Sequence, residues 1–446
     1  MISLARKLRL ADFFSLGFGT MVGVGWLVVM DDWLLRGGPL GAVLGFVIGG
    51  AVLLPIGIVY GHLVQAMPDA AGEIAYTAAV FPRLVSYATG WMMLLAYYIV
   101  CPWEAVAIGR IAGYLFPVLN SIELYRVAGK PVFLPHLAIG LALTVFLTML
   151  NYRGIRLSAT FQNWTTFGVI ALTLGFVGAG ATHGSAENFR PLFSRSAAVS
   201  VFLVLQIVPY FMTGFESIGK ASEEASGEFQ PRQFMLAILL AIVVGATFYA
   251  TVIAAVSYVA PWRTIVHERF ATAVAFEQAT GSRWIVRLIM AAALLSLLKV
   301  FNGNLVAASR MLFALGRRGL ADNRLGRVHP VNRTPSTAVV CIGIATAVLM
   351  FGGESLLVPI TEVGSLAAAL GWMASCAAYL AMRASVFGRA AAVTGLVVTS
   401  LMILMKVLPQ APGHFSDYEW IALAVWIGLG GLLRRCPSDS EAAIQK

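Results

Sequence analysis

Residues 11–35 read ADFFSLGFGTMVGVGWLVVMDDWLL. The stretch is apolar and long enough to cross a ~30 Å hydrocarbon core as one helix. Yet it carries glycines at 17, 19, 23 and 25, each costing about 1 kcal/mol against alanine inside a helix. Counted from residue 12, Gly23 falls about 16 Å into the span at 1.5 Å per residue, near mid-membrane. Unpaired backbone groups in hydrocarbon cost several kcal/mol each, so broken backbone persists there only where something polar fills it. Close packing of neighbouring helices is the other use of such glycines.

Residues 201–225, VFLVLQIVPYFMTGFESIGKASEEA, repeat the anomaly with Pro209 and Gly214. Counted from residue 198, Gly214 lies about 24 Å in by the same rise. The two interruptions occupy equivalent places in successive five-span units, the pointer to a secondary transporter built from inverted repeats. Unwinding at 22–25 frees N–H groups for an anion and carbonyls for a cation. A zwitterion bearing a carboxylate and an ammonium satisfies both, and glycine lets it approach the main chain.

Composition sets the class. The chain has 446 residues, 59% hydrophobic and 12% charged, with a mean hydropathy of +0.82. Soluble domains carry about 25% charged residues. Apolar runs recur from end to end, which reads as a multi-pass, all-α membrane protein of about twelve spans. The expected spans are 12–35, 40–65, 84–116, 133–151, 156–180, 198–224, 232–260, 284–315, 335–352, 356–382, 389–408 and 418–434. The opening MISLARKLRL lacks a small-residue cleavage site after it, so the first run reads as a retained span. The larger share of the 31 Lys and Arg falls on the side holding the N-terminus, including Lys220, Arg310, Arg383, Arg435 and Lys446. Positive residues mark the cytoplasm, which places both ends inside, as for a bacterial inner-membrane protein. The net charge of +10 therefore reads as orientation rather than nucleic-acid binding. Residues 261–283 are too polar to span and suit an external helix over the membrane face. The four cysteines show no metal or disulfide spacing, and no metal or cofactor is expected.

The chain resembles the amino acid–polyamine–organocation superfamily of transporters. The resemblance lies in SLGFGTMVGVGWL (15–27), MPDAAGEIAYTAAVFPRLVSYATGW (67–91), PYFMTGFESIGKASEEASGEFQPR (209–232) and SRMLFALGRRGLADNRLGRVHPVNRTPSTAV (309–339). It implies two inverted five-helix repeats, 1–182 and 183–383, with helices 1 and 6 broken. Two extra helices and a short cytoplasmic tail follow in 384–446, and the cycle is alternating access. It further implies that Gly23 and Gly25 offer amides to a substrate carboxylate. Carbonyls around Met21, Val22 and Phe211 would take the amine. Tyr210 matches an aromatic gate, Thr213 the side-chain pocket beside Gly214, and Glu216 the acid following that glycine.

Charges at membrane depth cost about 2.5–3.5 kcal/mol on insertion scales and are functional hypotheses by default. Lys299, in LLSLLKVFNGN, lies midway along span eight. Sodium-coupled relatives hold the ion there, and others place a lysine ammonium from span five, where this chain has none. Lys299 is expected either to supply that cation and exchange a coupled proton, or to pair with carbonyls or Glu216. Tyr97, Cys101 and Glu104 share a helix face by their i, i+4, i+7 spacing. PWEAVA (102–107) is similar to an aspartate–proton-symporter-like branch. Glu104 either meets a cationic substrate group, carries a proton, or pairs with Arg110. Asn302 and Asn304 follow Lys299 toward the pocket, and Asp31 and Asp32 form either a solvated rim, paired with Arg36, or a gate.

The expected function is a permease moving an amino acid or related amine by proton symport or exchange rather than sodium coupling. A polyamine or cationic-amine carrier is the alternative, because Glu104 and Glu216 leave a cationic guest open. A transporter-like sensor would call for a cytosolic extension beyond the ten-residue tail. An enzyme is not expected, since no HExxH, GxSxG or comparable set occurs.

Overall fold

A computed structural model describes residues 4–434 apart from 269, 383–384 and 412–413. Arg383, Arg435, Lys446 and the tail beyond Arg434 lie outside the described residues.

The chain is built almost wholly from helices. In order they are α1 (Leu10–Met21), α2 (Gly25–Val28), α3 (Met30–Ala66), α4 (Glu73–Ala78), α5 (Arg83–Tyr98), α6 (Val100–Leu115), α7 (Leu134–Arg153) and α8 (Ile155–Gly180). After them come α9 (Ala197–Leu205), α10 (Val208–Met212), α11 (Ser217–Lys220), α12 (Arg232–Val259), α13 (Trp262–Ile265), α14 (Ala271–Thr280) and α15 (Arg283–Arg317). The last four are α16 (Ser336–Leu349), α17 (Gly353–Ala381), α18 (Val386–Val407) and α19 (Asp417–Leu433).

Among the described residues nine helices are long and apolar enough to cross a membrane, or ten when α9 and the following bent segment count as one. The protein is a multi-span membrane protein. Two further stretches expected to span are helical but shorter, α16 with 14 residues and α19 with 17. The polar stretch 261–283 forms α13 and α14, which pack onto the body, and Thr272 Oγ1 donates to the Trp26 carbonyl at 2.6 Å. Sequence reading missed an antiparallel hairpin, Glu123–Val127 with Lys130–Phe133. Its strands are short, and Gly129 at φ 78 makes the turn.

α15 is the central post. It packs against α1, α5, α6, α8 and α16, and nearly all of Ser296–Gly316 is buried. α3 lies along α12, while α18 and α19 present exposed Val, Leu and Ile side chains outward, as lipid contact requires.

The polypeptide leaves α1 at Met21. Val22 is extended (φ −89, ψ 95), and helix resumes at Gly25. The second interrupted segment differs in detail from the expectation. Its axis bends by 47° between Leu205 and Val208, and Pro209 sits in the first turn of α10, where its missing N–H costs nothing. A further non-helical turn spans Thr213–Glu216. Gly214 has φ 139, and a Cβ there would lie 2.7 Å from the Met21 nitrogen and 2.8 Å from the Thr20 carbonyl carbon. The two irregular stretches therefore cross main chain against main chain.

The N-terminal segment and the end of α15 are tied to the chain that follows α11. The amides of Lys7 and Leu8 donate to the Glu224 carbonyl at 2.8 and 2.9 Å. Arg310, fully buried, holds Glu224 through Nη2–Oε1 at 3.0 Å and Nε–Oε2 at 3.2 Å. Arg317 bridges Asp69 at 3.0 Å and also reaches Glu223, and Arg318 meets Asp69 at 2.6 Å. Lys220 and Arg310, read from the sequence as loop charges, are instead buried ion-pair members. Loop-like polar spacing does not reveal that a carboxylate folds back onto each.

Two outcomes follow. Gly214→Ala meets backbone rather than a movable side chain, at a φ that L-residues rarely adopt. Such strain and overpacking cost about 1–3 kcal/mol each, so a drop of several degrees in the detergent melting temperature is expected, and an unchanged midpoint contradicts the crossing. At Asp69 partial burial opposes ionisation, but the Ala71 amide and the Arg318 and Arg317 guanidinium groups outweigh it and hold the carboxyl below its usual range. A depressed pKa stabilises above the unfolded value and is lost as pH falls through the folded one. The protection factors of amides 67–72, exchange rates corrected for the intrinsic pH dependence, should be flat from neutrality to about pH 5 and fall below about pH 4. Asp69→Asn should show the faster exchange already at neutral pH, at a cost of about 1 kcal/mol for so exposed a pair.

Candidate functional site

The carbonyls ending α1 have lost their intrahelical partners, and side chains from other helices take them up. Asn304 Nδ2 donates to Thr20 O at 3.2 Å, and the Tyr249 hydroxyl to Met21 O at 3.2 Å. Lys299 Nζ donates to Val22 O, and Ser296 Oγ to Gly23 O at 2.8 Å. Ser296, Lys299 and Asn304 come from one side of α15. The Lys299 ammonium also lies 5.1 Å from the Phe18 ring centroid, within cation–π range. The amide of Val24 has no partner among the described residues.

Beside this interruption is a cavity lined by Thr20, Met21, Gly23, Gly25, Glu104, Tyr210, Phe211, Thr213 and Asn304, with Ala96, Val100, Trp103, Val300 and Gly364 completing its apolar walls. Its free space is ≈ 70 Å³, more than one water needs and small enough to suit only a small guest. Gly25 is needed where it stands. A Cβ there would fall 2.5 Å from Cε1 of Phe211, whose ring packs edge-on against Trp33 at 4.8 Å. A Cβ at Gly23 would lie 3.3 Å from Oε1 of Glu104.

Glu104 is 3% exposed, and its Oε2 has no hydrogen-bond partner among the described residues. It feels the Lys299 charge without forming an ion pair among the described residues. Arg110 lines a separate cavity with Asn120, Lys130 and His136. Tyr210 packs edge-on against Phe211 at 5.1 Å, and Thr213 Oγ1 donates to Pro209 O at 2.5 Å.

Several expected site residues stand elsewhere. Val22 is buried and enters through its carbonyl. Tyr97 and Cys101 do not line the cavity: Cys101 Sγ contacts Tyr97 O at 3.9 Å, and the Tyr97 ring sits 5.0 Å from Lys220 Nζ. The lining stripe is Ala96, Val100, Trp103 and Glu104, a regular i, i+4, i+7, i+8 helical face with Glu104 at its edge, so that Tyr97 and Cys101 turn away from the cavity. Gly214 and Glu216 also lie off the cavity. Asn302 accepts from Asn151 at 2.8 Å and donates to Gln162 at 2.7 Å, a scaffold bridge among α7, α8 and α15. Asp32 pairs with Arg36 at 2.7 Å on a half-exposed rim. Sequence reasoning missed Tyr249 and Ser296, whose only signal was a hydroxyl in an apolar helix.

One expectation for the site is checkable by binding. Gly25→Leu drives a branched side chain into Phe211 and the cavity, so retention of any labelled amino acid by scintillation proximity should fall at least about tenfold. Wild-type retention would contradict this placement.

Similarity to known proteins bears on the whole chain. A family model described as amino acid permease matches residues 8–432. The chain is 26% identical to the branched-chain amino acid permease BcaP of Bacillus subtilis over 82% of its own length and 77% of that protein's. It is 25% identical to the methylthioribose transporter of the same bacterium, over 100% and 96%. It is 23% identical to the aspartate–proton symporter of that bacterium, over 75% and 65%. The chain belongs to the amino acid permease family, whose members are transporters and not enzymes.

Proposed function

We propose that the protein is a secondary transporter that carries a small amino acid, or a closely related amine, across the bacterial inner membrane by alternating access. The reading takes residues 1–182 and 183–383 as two inverted five-helix repeats and 384–446 as two added helices with a tail. Both chain ends face the cytoplasm. α1, α2 and the part of α3 before its kink at Gly38 (φ 63) form the broken helix 1, and α9–α11 the broken helix 6.

One observation carries it. Lys299 donates to the carbonyl released at Val22, beside a cavity that both interrupted segments line. A tethered ammonium holds the broken helix open without a bound sodium ion, which favours proton coupling or exchange. The substrate carboxylate then meets the amides of the 23–25 segment. Because Met21 and Val22 carbonyls already accept from Tyr249 and Lys299, the amine is left to their second lone pairs, to Phe211 O and to Glu104. The unpartnered Glu104 oxygen also favours the second reading, a cationic amine or diamine whose extra charge meets that carboxylate.

Uptake into proteoliposomes of a panel of labelled amino acids and amines, with an imposed proton or sodium gradient, tests this. Accumulation on the proton gradient or by exchange is expected, with none on sodium alone; sodium-driven accumulation contradicts the reading. Lys299→Ala should cut accumulation at least about tenfold while leaving measurable binding, since it removes the fixed cation and not the amides. Glu104→Gln should spare neutral amino acids and weaken cationic ones if the second reading holds.

A further inference from the structure

A second set of ionisable groups lies buried outside the cavity. Glu73, Lys220 and Glu216 are each 0% exposed. Lys220 Nζ bonds Glu73 Oε1 and donates to the Glu216 main-chain oxygen at 3.1 Å. The Tyr60 hydroxyl donates to the same Glu73 oxygen at 2.8 Å and is itself reached by Ser375 at 3.0 Å. Glu216 Oε2 accepts from the Gly214 amide at 3.0 Å. Among the described residues Glu73 Oε2, Glu216 Oε1 and the hydroxyls of Tyr76 and Tyr97 have no hydrogen-bond partner.

The space is shaped for the lysine. Gly72 at φ 49 lies where a Cβ would come within 3.3 Å of Lys220 Cε. The Tyr97 and Tyr60 rings flank the ammonium at 5.0 and 5.7 Å.

The charge does not balance. Two carboxylates face one ammonium in an interior that tolerates no net charge cheaply. The groups facing them are Tyr60 from α3, Tyr76 from α4, Tyr97 from α5 and Ser375 from α17, none of which adds a positive charge. Glu73 takes two strong donors, Lys220 and Tyr60. Glu216 has one amide donor and a bare Oε1, and is the member that holds a hydrogen.

We propose that Glu216, set against the Glu73–Lys220 pair, is a proton-binding site that the transport cycle loads and empties. This rests on the transporter reading and deepens it by naming where the coupled proton sits. Glu216 and Lys220 belong to the segment after the second interruption, and Glu73 to the short helix between α3 and α5. While these elements touch, one proton and one ammonium neutralise two carboxylates. When they part and water enters, Glu216 gives its proton to water on that side. The contact re-forms with Glu216 charged, and neutrality returns when the cavity opens to the other side and a proton from that water reaches Glu216. No bond other than O–H is made or broken.

The test uses the full chain in proteoliposomes loaded with an unlabelled mixture of the twenty l-amino acids. Uptake of the same mixture in labelled form is followed at equal pH, which reads exchange. In vesicles loaded with buffer alone, an inward proton gradient reads accumulation. Glu216→Gln, which mimics the protonated acid, is expected to keep exchange within about twofold and lose accumulation at least about tenfold, and Glu216→Asp to recover most of the accumulation. Wild-type accumulation by Glu216→Gln overturns the site. Loss of exchange together with accumulation in both variants assigns Glu216 to structure and also overturns it. A wild-type protein that exchanges but does not accumulate removes the proton. A wild-type protein that moves no label removes the transporter reading itself, and the site with it.

Discussion

Everything in this molecule hangs on how the main chain between Met21 and Gly25 keeps its polar groups satisfied away from water. A helix that stops inside hydrocarbon strands several carbonyls and amides, each worth kilocalories if left bare. Here the carbonyls are met by Asn304, Lys299 and Ser296 from α15 and by Tyr249 from α12. The interruption is thus fixed by two neighbouring helices rather than by its own sequence. The burial of α15 and its length follow from that duty, because the post must reach the break at mid-height and still pack on every side.

The second interruption depends on the first. Gly214 touches the main chain at Thr20 and Met21, so neither segment straightens without displacing the other. On one side of this crossing lies the small cavity with Glu104 and Phe211. On the other lies the Glu73–Lys220–Glu216 cluster, with the Gly214 amide held by Glu216 itself. One glycine therefore joins the segment beside the cavity to a buried carboxylate, and in the proposed cycle occupancy of one biases the other, as linked sites share a free energy.

Much of this was legible. Glycines at 23, 25 and 214 in otherwise apolar runs, and a lysine at 299, stand out because the membrane makes such residues costly. The cavity indeed collects Gly23, Gly25, Glu104, Tyr210, Phe211, Thr213 and Asn304. What escaped depends on tertiary placement. The face of the third span was read one residue out of phase, choosing Tyr97 and Cys101 over Ala96 and Val100, because Glu104 borders both faces and periodicity alone does not say which of them meets the cavity. Lys220 looked like a loop charge, since its partner Glu73 lies 147 residues away in the chain. Tyr249 and Ser296 are ordinary in composition and matter only because a carbonyl waits opposite.

The most direct measurement of the central claim is a cryo-EM map of the full chain in nanodiscs, saturated with the amino acid it transports. The account predicts ligand density in the cavity, its carboxylate within hydrogen-bond distance, about 3 Å, of the amides at 23–25, with Lys299 still on the Val22 carbonyl. A ligand bound elsewhere, or a first helix running unbroken through Gly23 and Gly25, would contradict it.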